Sequence, residues 1–305
     1  MKGTRDSRGS TVDGVLLLDK PQAISSNAAL RTAQRLFGAS KAGHTGTLDP
    51  LATGLLPVCF GEATKFSQVL LHAEKTYLAR VLLGLTTSTG DLEGEVTGRA
   101  PVAADRSAVE AVLQHFIGEI MQIPPMYSAI KKDGQPLYKL ARAGRAMPRT
   151  PRKVVVSNLS ILGLSGPEIE LLVTCSKGTY IRVLAEDIGR ELGCGGCLSA
   201  LRRTAVGRFT VDEGAVTLQQ LEALTPQRRA ALLLPSDTLV ASLPRFDLDA
   251  EQVRRIMRGQ ALDEVAGLAP GLTRIYGPER EFLGLAEAMD RGRMVARRLR
   301  SQEIG

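Results

Sequence analysis

The side chains in this sequence that could do chemistry fall in three short stretches. Asp49 stands between Gly46 and Pro50 in AGHTGTLDPLATGLLP, residues 42–57, Tyr77 closes K-T-Y, and Tyr180 and Arg182 belong to S-K-G-T-Y-I-R. A carboxylate, a guanidinium and two phenols suit acid–base or nucleophilic work without a metal. Plainer readings stand beside that one. Asp before Pro is an ordinary turn signature, and a tyrosine at a strand or helix start is equally a core ring with its hydroxyl satisfied. Other chemistries lack their parts: the chain has no G-x-x-x-x-G-K-S/T, G-x-G-x-x-G, G-x-S-x-G or H-E-x-x-H, which lowers nucleotide hydrolysis, dinucleotide redox and serine-hydrolase chemistry. No two of His44, His72 and His115 have ligand spacing. Cys194 and Cys197 form half of a zinc knuckle, but no second pair sits at a suitable distance. With Cys59 and Cys175 they are too few for a disulfide framework and read as small buried side chains. Chemistry free of metals and cofactors is the expectation.

The charge is more telling once it is localised. The 305 residues carry a net +7. Between Met121 and Lys153 stand Lys131, Lys132, Lys139, Arg142, Arg145, Arg149, Arg152 and Lys153 against the single acid Asp133, so this segment alone accounts for the whole excess. A charge run is commonly just a solvated face. Here Gly134, Pro136, Gly144, Pro148 and Pro151 interrupt it, which predicts a long insertion with one short helix, Pro136 to Ala143, and makes a basic arm closing on a polyanion the sharper expectation.

The elements that must position these residues follow from periodicity. Val12 to Asp19 is an apolar run ending at Lys20-Pro21, the pattern of a buried strand. A helix capped by Ser25 or Ser26 follows and stops at Gly38; the glycines and prolines of 42–57 predict a structured loop. Thr76 to Gly84 alternates as a strand, Asp105 to Ile117 has helical spacing, and 154–164 with 168–175 predicts a strand pair. A helix bearing Leu184, Ile188 and Leu192 follows, then a strand over 203–211 and a helix over 218–224. Strands and helices mix without strict alternation, which predicts an α+β fold around a mostly antiparallel mixed sheet flanked by helices. After a linker near 242–245, a helix at 250–258 and short strands suit a small β-barrel-like module. The expected division is residues 10–241 with the insertion at about 121–153, then 242–305. Composition is that of a globular chain, 44% hydrophobic and 23% charged. No apolar run approaches a membrane span, and the polar N-terminus predicts a cytoplasmic protein.

GVLLLDKPQAISS, AGHTGTLDPLATGLLPVCFGEATKF, EKTY, QIPPMYSAIKKDGQPLYKLARAG, CSKGTYIR and LRRTAVGRF, in this order, resemble the TruB-type tRNA pseudouridine synthases over roughly residues 13–224. The end of the chain resembles a PUA module, an RNA-binding β-barrel. The resemblance implies a pseudouridine synthase fold and a cofactor-free isomerisation of the T-loop uridine of tRNA, position 55, by an enzyme expected as a monomer acting on the T-arm. It makes Asp49 the catalytic aspartate, as nucleophile on sugar or base or as a base at the 2′ position. Arg182 would keep Asp49 ionised, Tyr77 would stack on the uracil and serve in removing the C5 proton, Tyr180 would hydrogen-bond near Asp49, and Leu201 would wall the pocket. Lys20 and Pro21 would support the loop. His44 would fill the space left by bases flipped out of the stack, and the basic insertion is the family's thumb, its eight cations near phosphates. Two rivals remain, a noncatalytic RNA-binding protein and a nucleoside hydrolase or base glycosylase.

Overall fold

The computed structural model describes residues 12–301 except 129, 133, 146, 264, 266 and 268. The chain runs β1 (Gly14–Lys20), α1 (Ser26–Phe37), β2 (Ala42–His44), β3 (Thr53–Phe60), α2 (Ser67–His72), β4 (Lys75–Leu83), β5 (Leu85–Thr87), β6 (Val96–Arg99), α3 (Arg106–Gln114) and β7 (Gly118–Gln122). The insertion holds β8 (Lys131–Lys132), β9 (Gln135–Pro136) and α4 (Leu137–Arg142). There follow β10 (Arg152–Ser165), β11 (Glu168–Cys175), α5 (Ile181–Glu191), β12 (Gly196–Val206), β13 (Phe209–Thr210), β14 (Val216–Thr217), α6 (Leu218–Ala223) and α7 (Pro226–Ala230). Last come β15 (Arg245–Asp247), α8 (Ala250–Met257), β16 (Gly271–Tyr276), β17 (Phe282–Met289) and β18 (Arg293–Leu299).

The main sheet is ordered β14-β1-β3-β12-β4-β11-β10-β7, with β2 added to β3 and β13 to β12. Only β1 with β14 and β12 with β3 pair in parallel, so the expected antiparallel character holds. On one face α3 and α5 cover an apolar cluster of Tyr77, Ala79, Val81, Leu171, Val173, Leu184, Ile188 and Leu201. α1 and α6 cover Leu16, Leu18, Leu56 and Val58. Helix α1 starts where Ser25 accepts from the Ala28 N–H and stops at Gly38 in the left-handed region, φ 64°.

Two differences from the sequence reading have physical reasons. The stretch 42–57 is not loop throughout, because β3 begins at Thr53 and runs to Phe60 through Pro57. A proline lacks an N–H, but the Pro57 carbonyl still accepts from Thr45 at 3.2 Å, and seven buried residues in eight make this strand central. Likewise the strand expected from 203 starts at Gly196, and Gly207 in the left-handed region turns it into the short β13. The C-terminal sheet, ordered β15-β16-β17-β18, packs α8 on one side. On the other, Tyr276, Phe282 and Leu285 join one apolar cluster with Phe66, Leu70, Leu239 and Val240.

Candidate active site

Three elements bring the chemistry together: the loop between β2 and β3 carries Asp49, β4 carries Tyr77, and the start of α5 carries Tyr180 and Arg182. Close backbone contacts hold this geometry. A Cβ at Gly189 of α5 would lie 2.2 Å from the Gly196 nitrogen, so the helix sits directly on β12. A Cβ at Gly54, φ 100°, would lie 2.2 Å from the Arg203 carbonyl, so the strand leaving the Asp49 loop also runs against β12. Ser26 locks the loop from α1, its hydroxyl accepting from the Leu48 N–H at 2.7 Å and donating to the Leu48 carbonyl at 2.9 Å.

Arg182 is the hub. Its Nε donates to Asp49 Oδ2 at 2.9 Å, Nη1 to the Thr89 carbonyl and Nη2 to the Tyr127 carbonyl, each at 2.8 Å. Nε also stands 3.5 Å from Asp91 Oδ2. The Arg182 and Asp91 side chains are 5% and 4% exposed, whereas Asp49 is 38% exposed and so opens toward solvent. Burial pushes the Asp49 carboxyl above its ordinary value. The guanidinium of Arg182 and, more weakly, Lys20 pull it down, while Asp91 adds to the rise. Arg182 therefore opposes protonation of Asp49, but the net shift is upward.

Tyr77 is buried on β4, opposite Arg203 of β12, and burial raises its phenol while Arg203 lowers it. Leu201 packs in the same cluster with Leu48 and Leu51. Tyr180 sits at the cap position before α5. Its hydroxyl lies beside Ser128, within electrostatic reach of Asp49, and the hydrogen bond to Asp49 comes from Arg182 instead. Lys20 is fully buried, its Nζ donating to the Pro21 and Ile24 carbonyls at 2.8 Å each. Burial pushes it down to about 8 against the pull of Asp49. Exposed Pro21 thus takes part through its backbone, in the turn that receives the loop by Ala23 N–H donating to the Pro50 carbonyl. His44 ends β2, half-buried, its Nδ1 accepting from Gly46 N–H at 3.4 Å; burial and Arg203 lower its imidazole and favour a neutral ring.

The basic insertion is less gathered. Lys139, Arg145 and Arg152 are exposed. Arg149 donates to the Pro124 carbonyl at 3.1 Å, and Lys153 pairs with Glu119 at 2.9 Å on the surface. Lys131, Lys132 and Arg142 are placed by their backbone on β8 and α4, and their side chains, like residue Asp133, lie outside the described residues. All four cysteines are free and buried, and among the described residues no cluster of His, Cys, Asp or Glu is arranged to hold a metal. A hollow of about 780 Å3 is lined by Met121, Arg149, Glu186 and by Thr89 and Tyr127, the two residues whose carbonyls hold Arg182, but Asp49, Tyr77 and Tyr180 do not line it. One of about 280 Å3 includes Leu51, Leu78, Leu201 and Arg202.

Sequence reasoning missed three residues that the fold places here. Asp91 backs Arg182. Gln122 ends β7, where its side-chain amide accepts from the Tyr180 N–H at 3.0 Å and donates to the Tyr180 carbonyl at 3.3 Å. Arg203, 1% exposed, reaches the Gly46 carbonyl. Gln122 and Arg203 lie inside motif stretches, and that membership was the one signal the sequence offered for them.

No helix among the described residues is long and apolar enough to cross a membrane. Three family models match in succession: the TruB family pseudouridylate synthase N-terminal domain over residues 34–181, the tRNA pseudouridylate synthase B C-terminal domain over 182–241, and the pseudouridine synthase II TruB C-terminal domain over 244–299. Curated relatives named tRNA pseudouridine synthase B include that of Aromatoleum aromaticum, 55% identical over 94% of this chain and 92% of the relative. That of Methylobacillus flagellatus is 50% identical over 95% and 96%. Among solved structures, a Cbf5-Nop10-Gar1 complex matches at TM-score 0.70 and 27% identity over 96% of this chain and 84% of its counterpart. An H/ACA RNP bound to a substrate RNA containing 2′-deoxyuridine matches at 0.69 and 26%, over 94% and 84%. The motif order, the Asp49–Arg182 pair, and 55% identity over 94% of the chain to a curated relative place the chain in the TruB family of pseudouridine synthases.

Proposed function

We propose that this chain isomerises the T-loop uridine of tRNA, position 55, to pseudouridine. The observation that carries the reading is Asp49, held by a buried arginine yet open on one side, beside a tyrosine ring and a leucine wall. The C1′–N1 bond breaks, a C1′–C5 bond forms, C5 loses a proton to water and N1 gains one. No electrons change hands, so the residues present suffice without a cofactor. Asp49 serves either as nucleophile or as a base at the 2′ position. Tyr77 stacks on the extracted uracil, worth roughly 1–3 kcal/mol, and takes the C5 proton. Tyr180 lines the pocket beside Asp49, and Leu201 limits the space for the ring. Neutral His44 suits insertion among bases rather than a phosphate contact.

The target base must leave its stack to be reached, and the residues around it supply the hold on RNA. Lys131, Lys132, Lys139, Arg142, Arg145, Arg149, Arg152 and Lys153 contact T-arm phosphates, with the freer cations contributing more than Lys153, which Glu119 already engages. Residues 10–241 form the catalytic part and 242–305 a PUA-like RNA-binding part, in a cytoplasmic monomer. The test is incubation with unmodified tRNA tritiated at uridine C5. Tritium release with the base still attached is expected. Free uracil would favour a glycosylase, and binding without release would leave only an RNA-binding protein.

A further inference from the structure

Arg203 is a buried cation for which the mechanism above has no use. It is 1% exposed, and no carboxylate among the described residues pairs with it. Its Nε donates to the Leu55 carbonyl at 2.7 Å and Nη2 to the Gly46 carbonyl at 3.1 Å. Among the described residues, the one side chain that favours its charge is the Tyr77 hydroxyl. A buried guanidinium without a counter-anion is costly, and an apolar side chain could fill the same volume. The cost extends to neighbours, since the same charge lowers His44, Lys75 and Lys20.

What it does follows from its donor inventory. A guanidinium has N–H donors and no acceptor, so the Tyr77 oxygen beside it accepts and the phenolic hydrogen points elsewhere. Through the Gly46 carbonyl the same group holds the strand-side end of the loop bearing Asp49. We propose that Arg203 is a positioning residue for the isomerisation, which fixes the Asp49 loop and sets the Tyr77 oxygen as the acceptor of the C5 proton. In that step the C5–H bond breaks, its electron pair becomes the C5–C6 double bond, and the C6–N1 π pair moves onto N1, which takes a proton from water. The proton passes to the Tyr77 oxygen, which releases its own hydrogen to water. The proposal rests on the uridine isomerase reading and adds a residue to it. The downward pull of Arg203 on the Tyr77 phenol agrees with it.

The test compares Arg203→Lys and Arg203→Met, each alone and with Tyr77→Phe, by single-turnover C5 tritium release across neutral to alkaline pH. The tRNA Kd and denaturant stability are measured alongside. Arg203→Lys is expected to lose roughly 100-fold in rate, the scale of one misplaced proton acceptor, with Kd little changed. Arg203→Met should lose more, with a residual rate that keeps rising to higher pH than the parent's, because the phenolate loses its cation. In the Tyr77→Phe background, Arg203→Lys should cost much less than it does alone. A folded Arg203→Lys variant with the parent's rate and pH profile overturns the proposal, as does an equal loss with and without the hydroxyl. Should neither Arg203 variant fold, Tyr77→Phe decides alone, and parent-like release from it overturns the proposal. Absence of release from the parent would instead refute the isomerase reading.

Discussion

Replacing Arg182 by Met probes the site where its charges are most tightly linked. The substitution removes three hydrogen bonds, to Asp49, Thr89 and Tyr127, and takes the cation away from Asp91, 3.5 Å distant. Removing one partner of a buried ion pair costs about 3–5 kcal/mol. Two features favour the lower end: Asp49 is 38% exposed and water can solvate it, while Asp91 Oδ1 keeps its hydrogen bonds from the Thr89 hydroxyl and the Glu93 N–H. A loss of about 3 kcal/mol is therefore expected, a large part of the roughly 5–15 kcal/mol that holds a domain folded. Its pH dependence has a defined sign. Without the cation the Asp49 carboxylate, already raised by burial, binds a proton more readily folded than unfolded. Such groups favour folding at low pH and lose that contribution as pH rises through the raised value. The deficit should thus be small in mild acid and full at neutral pH. Urea unfolding at the two pH values, at unchanged m, measures it. A variant as stable as the parent at neutral pH, or a deficit that shrinks as pH rises, would refute this account of the site.

Asp49→Asn should abolish tritium release with tRNA affinity nearly unchanged, because the carboxylate acts in the transition state. It should lower stability less than Arg182→Met does, since the buried guanidinium keeps Asp91 at 3.5 Å and burial already raises the Asp49 carboxyl; residual turnover near the parent's would sink the assignment. Alanine at Lys131, Lys132, Arg142 and Arg145 should weaken tRNA binding at low salt and flatten the log–log salt dependence by roughly two to three units. An unchanged slope in a salt titration would make the cluster a solvated face. Lys20 and Lys75 are both pushed from 10.5 to about 8, so the unfolded chain holds protons that the folded one releases across that window, and stability should rise with pH there. Lys20→Met should reduce that rise, and denaturation curves with the parent's slope would contradict it.

How much of this was legible in the sequence depends on what each residue answers to. Helix α1 was readable because Ser25 and Gly38 satisfy local backbone needs that neighbouring residues reveal. The central strand β3 was hidden because Gly54 and Pro57 signal a loop, and only its tertiary partners β1, β2 and β12 overrule them. Asp49, Tyr77, Tyr180 and Arg182 lie in separate stretches, and the motifs rather than any spacing brought them together. Asp91, Gln122 and Arg203 stayed unread because their importance lies in the tertiary partners they meet, Arg182, the Tyr180 backbone and Tyr77, and periodicity carries no record of those.

The apolar cluster shared by Phe66, Leu70, Leu239 and Val240 with Tyr276, Phe282 and Leu285 sets a mechanical rule for the two parts of the chain. Arg300 meets Asp13 at 2.7 Å, and Lys65 reaches the Leu299 carbonyl at 3.1 Å, so the joint is pinned at its rim as well as its centre. A tethered module searches a volume, and its help to binding falls with the length of its tether. Parts welded through a common core behave like the jaws of a caliper, whose opening is fixed before any object is placed between them. If both parts hold RNA as proposed, an RNA whose two contact points stand at another span would gain from one jaw only, and selection by length would come from the weld itself.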